Sequence, residues 1–334
     1  MKSAVHNAWY ALAWGDEIST SAVRRVVLDR PLVSFRSQDG RVVALEDRCP
    51  HRMAPLSRGL VRDDTIACAY HGLRFNGAGQ CVGAPGYGDI PASFRVPAFA
   101  TRELDGLVWI WMGDPADADD AIPTVAEADR PGWTQARGGA LAYGCHYLSL
   151  IENLCDPSHV SYLHPTTLGD EHGQGAPVHV EASERQVVVS RWIENVPAVP
   201  SLAPYVAPGP VDRWQYYNFH APSTTIVDFG TAPTGLVGPD KDRDFGVRVF
   251  IAHCVTPVDD SRCIDHWYSV RNFGAEDSAV TKALHEGFMV AYQEDKAMLE
   301  AIQLEEARDP EFKRILIKSD AGPLRMRRII STMT

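Results

Sequence analysis

No run of apolar residues in this chain approaches the length needed to span a bilayer. Basic residues are also short: 32 lysines and arginines stand against 43 aspartates and glutamates, a formal net charge of −11. Nucleic acid and anionic membrane surfaces need a basic face, so both are disfavoured as partners. The N-terminal stretch MKSAVHNAWYALAW has no apolar core followed by a cleavage site and does not read as a signal peptide. Cysteine is scarce, seven in 334 residues at irregular spacing, which argues against a disulfide framework. The expected location is cytoplasmic, where reduced thiols are free to bind metal. There is no internal repeat and no low-complexity tract. There is also no GxGxxG turn: GAGQCVG at 77–83 lacks the spacing, so a flavin or nicotinamide has no site here.

What is present is an ordinary globular composition, 45% hydrophobic and 22% charged, with length enough for two domains. VRRVVL, PLVSFRS and RVVALED between 23 and 48 are β-branched runs, the last two separated by the turn Gln38-Asp39-Gly40. LVWIWMG at 107–113 is a further strand. The acidic, proline-containing stretch at 113–132 marks a boundary, giving domains 1–130 and 131–334. Beyond it RQVVVSRWI, DRWQYYNFH, FGVRVFIAHCVTP and DHWYSVRNF read as strands. Helical segments are expected around 147–164 and 276–308. The fold class is therefore α+β: a small all-β unit, then an antiparallel sheet covered by helices.

The stretch CPHRMAPLSRGLVRDDTIACAYHG carries two Cys/His pairs, Cys49 with His51 and Cys68 with His71. Three readings compete: coincidence, a structural zinc site of two cysteines and two histidines, and a Rieske [2Fe–2S] cluster, in which two thiolates hold one iron and two imidazoles the other. Ligand identity alone does not separate the last two. The flanks, Pro50, Pro55, Gly59, Gly72 and Gly77, suit loops whose amides approach a cluster. A classical zinc finger would place its histidines on a helix, whereas His71 precedes a turn.

A second constellation is ENLCDPSHVSYLHP, residues 152–165. Asp156-Pro157 reads as a helix start, or as a break that restarts a helix. His159 and His164 are five apart, about 140° around an ideal helix, so both reach one metal only if the helix bends or ends near His164. Pro165 supports an end there. In ALHEGFMVAYQEDKAMLEAIQ, Phe288, Asp295 and Ile302 fall nearly on one line, flanked by Leu284, Ala291, Met298 and Leu299. A carboxylate inside an apolar stripe must be metal-bound or ion-paired. Glu294, about 100° around, is expected in solvent. Two histidines and one carboxylate make the facial triad of oxygen-activating non-haem Fe(II).

CPHRMAPLSRG followed by CAYHGLRF resembles the Rieske motif of the non-haem iron aromatic oxygenases. The chain as a whole resembles their vanillate O-demethylase group, which includes dicamba O-demethylase and toluenesulfonate methyl-monooxygenase. The likeness runs through NAWY (7–10), LVWIWMGDP, ENLCDPSHVSYLHPTTLG, DRW (212–214), RNFG (271–274), EDK (294–296) and SDAGPLRMRR. HPTTLG, DRWQ and APTG look closest to the toluenesulfonate enzyme. Compared with the family, the chain ends soon after RRII.

The resemblance implies Cys49, His51, Cys68 and His71 as cluster ligands and His159, His164 and Asp295 as iron ligands. It implies a head-to-tail homotrimer. In it Asp156 would hydrogen-bond across the interface toward His71, and also toward its own iron ligand His159, with Asn153 near the iron. Electrons would come from a separate reductase carrying the NAD(P)H and flavin chemistry. O2 would be the co-substrate, and hydroxylation or O-demethylation of a small acidic aromatic the reaction. By position in the subgroup, His220, His253, Asn218 and Phe288 would contact that substrate. The alternatives are ring cis-dihydroxylation on the same machinery, a zinc-stabilised binding protein without redox role, and a Rieske electron carrier. Length and the triad argue against the carrier.

Overall fold

The computed structural model describes residues 4–239 and 241–334. The first three residues of the N-terminal stretch read above lie outside this range. The chain divides into two compact units. One runs to Ile122 and includes Thr256–Asp259; the other holds Pro123–Val255 and Asp260–Thr334. The split thus falls inside the acidic 113–132 stretch.

The first unit is all-β. Its strands are β1 (Trp9–Trp14), β2 (Val23–Val27), β3 (Arg30–Arg36), β4 (Val42–Glu46), β5 (Leu60–Arg62), β6 (Thr65–Ala67), β7 (Arg74–Asn76), β8 (Cys81–Gly83), β9 (Ala98–Phe99), β10 (Thr101–Leu104) and β11 (Leu107–Trp111). They form three antiparallel sheets, ordered β1-β11-β10, β2-β3-β4-β9 and β5-β6-β7-β8. Val33, Phe35, Leu45, Leu56, Ile66, Phe75 and Val96 pack into one core, and Cys49 and Cys68 are part of it. Buried Asp47 pins the first Cys/His loop by accepting from Ser57 N–H at 2.6 Å and Ser57 Oγ–H at 2.7 Å.

The second unit is α+β, the expected class. Its strands are β12 (Thr134–Tyr143), β13 (His179–Ala182), β14 (Gln186–Val196), β15 (Val211–His220), β16 (Thr224–Pro233), β17 (Val247–Asp259) and β18 (Arg262–Arg271). They make one seven-stranded sheet, ordered β12-β18-β17-β16-β15-β14-β13. Among the described residues four α-helices accompany it: α1 (Tyr147–Asn153), α2 (Val160–Leu163), α3 (Ser278–Arg308) and α4 (Ala321–Met333). Asp277 caps α3 by accepting from Ala279 N–H at 2.8 Å. Val280, Leu284, Phe288, Ala291, Tyr292, Asp295 and Leu299 are its buried stripe. Met298 and Ile302, expected on that stripe, are 48% and 40% exposed. Residues seven apart drift by about 20° per heptad on a straight helix, so the line leaves the packed surface before Ile302.

Four elements of this unit, β12, β13, β16 and α4, carried no strong signal. β16 (TTIVDFGTAP) is buried along nearly its whole length, so it shows no polar alternation. β12 holds a Gly-Gly pair at 138–139. α4 opens Ala-Gly-Pro, and its Gly322 is required by contact: a Cβ there would lie 2.5 Å from Val189 Cγ2 and 2.9 Å from the Cys155 carbonyl oxygen.

On one side of the sheet, buried Asp228 of β16 ties three strands together. It accepts from Trp214 Nε1–H (3.0 Å), Arg248 Nε and Nη2 (3.0 and 2.8 Å) and Arg243 Nη2 (3.0 Å). Its neighbours Val227 and Phe229 therefore face the other side. Asp228→Ala would leave Arg248 buried without that partner. The expected loss is about 3–5 kcal/mol, read as a lowered urea midpoint for the second unit.

Candidate metal centres

The two Cys/His loops repeat one backbone solution. In the first, Met53 N–H donates to Cys49 O (2.8 Å) and Cys49 N–H to Ala54 O (2.9 Å). In the second, Gly72 N–H donates to Cys68 O (3.0 Å) and Cys68 N–H to Leu73 O (2.8 Å). Met53 and Gly72, at equivalent positions, both have positive φ, 57° and 74°. The loops thus present a matched pair of sites: two buried thiols, 2% and 3% exposed, and two exposed imidazoles whose ring centroids are 4.6 Å apart. Burial pushes the Cys49 thiol up and the nearby Cys68 adds to this, while the His51 and Arg52 peptide groups oppose it. Soft thiolates on the buried side and imidazoles on the exposed side fit the mixed donor set of a Rieske cluster.

The second centre is assembled from distant segments. The 147–164 segment is two helices with a turn between. α1 ends at Asn153, Asp156 opens a turn by accepting from Ser158 N–H (2.8 Å), and α2 spans only four residues. His159 caps α2 at its start and His164 at its end. The helix therefore does stop at His164, and the 140° divergence does not arise. The ligand atoms of His159, His164 and Asp295 all lie within 4.8 Å of one another.

Each imidazole is held from behind. The carbonyl oxygen of Asp156 sits 2.5 Å from His159 Nδ1 and can only accept, so Nδ1 carries the proton there. The Asp156–His159 bond thus runs through the peptide and not through the carboxylate, whose Oδ1 is taken by Ser158 N–H. Glu294 Oε2 lies 2.8 Å from His164 Nδ1. Glu294 is therefore not left to solvent as its helical position suggested, because the His164 ring reaches past the apolar stripe to meet it. With both Nδ1 protons occupied, the two Nε2 atoms face Asp295 Oδ1, at 3.6 Å from His159 and 3.2 Å from His164. Asn153 Nδ2 donates to the same oxygen at 2.9 Å.

Burial opposes the Asp295 charge, but His164, His159 and Asn153 outweigh it and hold the carboxyl below its ordinary value. Burial lowers the His159 pKa. Burial also opposes charge on His164, yet Asp295 and Glu294 win and raise it. Two imidazole lone pairs and a carboxylate on one side of a cavity fit a divalent iron.

That cavity, about 60 Å³, is walled by Leu154, Val160 and Leu168 from the helical side, with Asn153, Tyr292 and the triad. The sheet adds alternate residues of three strands: Gln215 and Tyr217, Val227 and Phe229, Ile251 and His253. The register pairs Gln215 with Phe229, and Tyr217 with Val227 and thence Ile251. Of the four residues expected to touch substrate, the structure brings only His253 to this lining. Its Nδ1 is held by buried Asp265 Oδ2 at 2.7 Å. Phe288 stands one layer behind, edge-on to Phe229 at 6.1 Å. Asn218 spends its amide on the Ile226 carbonyl oxygen (3.0 Å), and His220 closes β15 away from the lining. Gln215, Tyr217, Tyr292 and Glu294 carried no separate signal in the sequence; alternation along DRWQYYNFH and the three-residue step back from Asp295 are the only traces.

Glu294→Ala should weaken iron binding at the His159/His164/Asp295 centre about 10- to 100-fold while the cluster spectrum stays unchanged. Titration of chelator-stripped protein with Fe(II), monitored by bound iron, measures this. Glu294→Gln, which still offers an acceptor, should fall between.

Residues 8–97 match the Rieske [2Fe-2S] domain, and residues 143–334 match the Vanillate O-demethylase oxygenase C-terminal domain. The iron-sulfur subunit of the toluene-4-sulfonate monooxygenase system of Comamonas testosteroni is 35% identical over 95% of this chain and 93% of its own. A Pseudomonas vanillate O-demethylase oxygenase subunit is 34% identical over 97% and 93%. Among solved structures, dicamba monooxygenase bound to 3,6-dichlorosalicylic acid superposes with a TM-score of 0.91 at 32% identity, covering 99% of this chain and 98% of that one. The same enzyme with non-heme iron and dicamba gives 0.83 at 31%, covering 99% and 97%. The chain therefore belongs to the vanillate O-demethylase family of Rieske-type oxygenase subunits, with a Rieske [2Fe-2S] domain followed by that family's C-terminal domain.

Proposed function

We propose that this chain is the terminal oxygenase of a multicomponent monooxygenase that hydroxylates or O-demethylates a small aromatic acid. The observation that carries the reading is the convergence of His159, His164 and Asp295 on one cavity, in a chain that also bears a Rieske domain. Cys49, His51, Cys68 and His71 would hold the cluster, and the triad the iron. When bound, these groups supply single-electron transfer and activation of O2. The chain has no nucleotide-binding turn, so the NAD(P)H and flavin chemistry falls to a separate reductase in the same cytoplasmic compartment.

The remaining work belongs to the side chains. Leu154, Val160, Leu168, Val227, Phe229 and Ile251 offer an apolar wall to an aromatic ring and keep water away from it. Asn153 and Glu294 hold Asp295 and His164 in register. Asp265 fixes the His253 ring so that Nε2 is the nitrogen left for the cavity, where it meets the acid group. Asp156 is half-buried, and its carboxylate is positioned by Ser158. We assign it to the contact between neighbouring copies in a homotrimer, where it receives a hydrogen bond from His71, exposed on its own domain.

Asp156→Asn should keep both metal centres by iron count and EPR, yet lose substrate-dependent O2 uptake with a reductase present. Normal uptake in that variant would overturn the assignment of Asp156. His253→Ala should raise the Kd of an aromatic acid about tenfold or more without loss of iron, as removal of a buried partner to a charged group does. Equilibrium dialysis reads both quantities on one sample.

A further inference from the structure

β15 sends two hydrogen-bonding side chains to the metal cavity, Gln215 and Tyr217. They are two residues apart and so share the inward face, with about 7 Å between their backbones. Gln215 is fixed by its cross-strand neighbour on β14, Arg191, which is 3% exposed. Arg191 Nε donates to Gln215 Oε1, and Arg191 Nη1 donates to the Gly173 carbonyl oxygen at 2.9 Å. A guanidinium has no acceptor, so the Gln215 amide cannot be turned round. Its oxygen faces Arg191 and its nitrogen is the atom left over.

Burial pushes the Tyr217 phenol up, with Arg191 opposing and Asp156 and Asp295 reinforcing, so it remains a hydroxyl that can donate. Among the described residues neither Gln215 Nε2 nor the Tyr217 hydroxyl has a hydrogen-bond partner. Neither is sealed into the interior, as the Tyr292 hydroxyl of the same wall is. Both therefore open on the cavity. The lining holds no lysine or arginine, so two neutral donors at this end suit an uncharged oxygen and not a second acid group.

The sheet register sets this end apart from His253. Gln215 is level with Phe229, Tyr217 with Val227 and Ile251, and His253 with Thr225. His253 is thus two strands over and four residues along from Gln215, roughly 16 Å between backbones. With a side chain reaching in from each end, that span takes one benzene ring with a substituent at either side.

We propose that Tyr217 and Gln215 form a donor pair that binds an uncharged oxygen substituent of the aromatic substrate, a phenol or an aryl ether, at the far side of the ring from the acid group on His253. Arg191 is the positioning residue that turns the Gln215 N–H inward. The pair selects, among aromatic acids, those that carry such an oxygen; this substrate class rests on the oxygenase reading given above.

The test is calorimetry on the full chain with its iron counted, without reductase. The probes are benzoate, 3- and 4-hydroxybenzoate, their methyl ethers, and phenol. The readout is the affinity of each oxygen-bearing acid relative to benzoate. The wild-type protein should favour at least one of them, and Tyr217→Phe should cut that preference about 3- to 10-fold while benzoate itself binds as before. Gln215→Glu keeps the acceptor that Arg191 needs and removes the donor, so it should lower the same ratio. His253→Ala should instead weaken every acid alike and spare phenol. If the benzoates fail to bind but phenol binds and weakens in Tyr217→Phe, the donor pair stands and the aromatic-acid reading falls. A wild-type ratio near one for every probe, a ratio that neither variant moves, equal loss of benzoate and the substituted acids in Tyr217→Phe, or no binding of any probe overturns the proposal.

Discussion

The catalytic half of this protein is organised around one buried carboxylate. Asp295 sits in the middle of an apolar helical stripe, where an isolated charge would be expensive. It persists because two imidazoles and an amide meet it: Asn153, His159 and His164, from a segment more than 130 residues earlier in the chain. Every feature nearby serves that meeting. α2 is cut to four residues so that both histidines fall at its ends. Their Nδ1 protons are spent on Asp156 O and Glu294, which leaves the Nε2 lone pairs on the Asp295 side. Without a metal, Asp295 and Glu294 raise the His164 pKa against the effect of burial, so a metal and a proton compete for the same nitrogen.

The first centre meets a similar requirement by a different route. Its four donors lie within 23 residues, and two copies of one tight loop are enough to pair them. The thiols are part of the hydrophobic core, so the loops are anchored by the same packing that folds the domain. The histidines stay at the surface. One centre is thus built from local turns and the other from long-range assembly, as suits a redox group that must be reached from outside and an iron that must exclude water.

Charge near the metal cavity is mixed. The chain carries a net −11, and beside the cavity Arg191 and Arg213 face Asp170, with Asp156 also acting on Arg191. A small acidic molecule reads only that local field. Repulsion from the whole surface is screened beyond about 8–10 Å at ordinary ionic strength.

The sequence by itself determined the parts that depend on spacing. CPH and CAYH define the two loops, because a cysteine and a histidine two or three residues apart need only a turn to point together. The stop at His164 was legible from Pro165, and the burial of Asp295 from its apolar neighbours. Long alternating runs such as DRWQYYNFH showed β15. Tertiary structure decided what depends on which surfaces meet. β16 is buried on both faces and so had no pattern to read. Glu294 looked solvated on its own helix and became a partner only when His164 was brought against it. His253 reached the cavity while His220, Asn218 and Phe288 did not, because a strand's period of two fixes which face a residue takes but not which part of that face is covered. Arg191 is an ordinary residue in the chain; only packing buries its guanidinium against Gln215 and the Gly173 carbonyl oxygen.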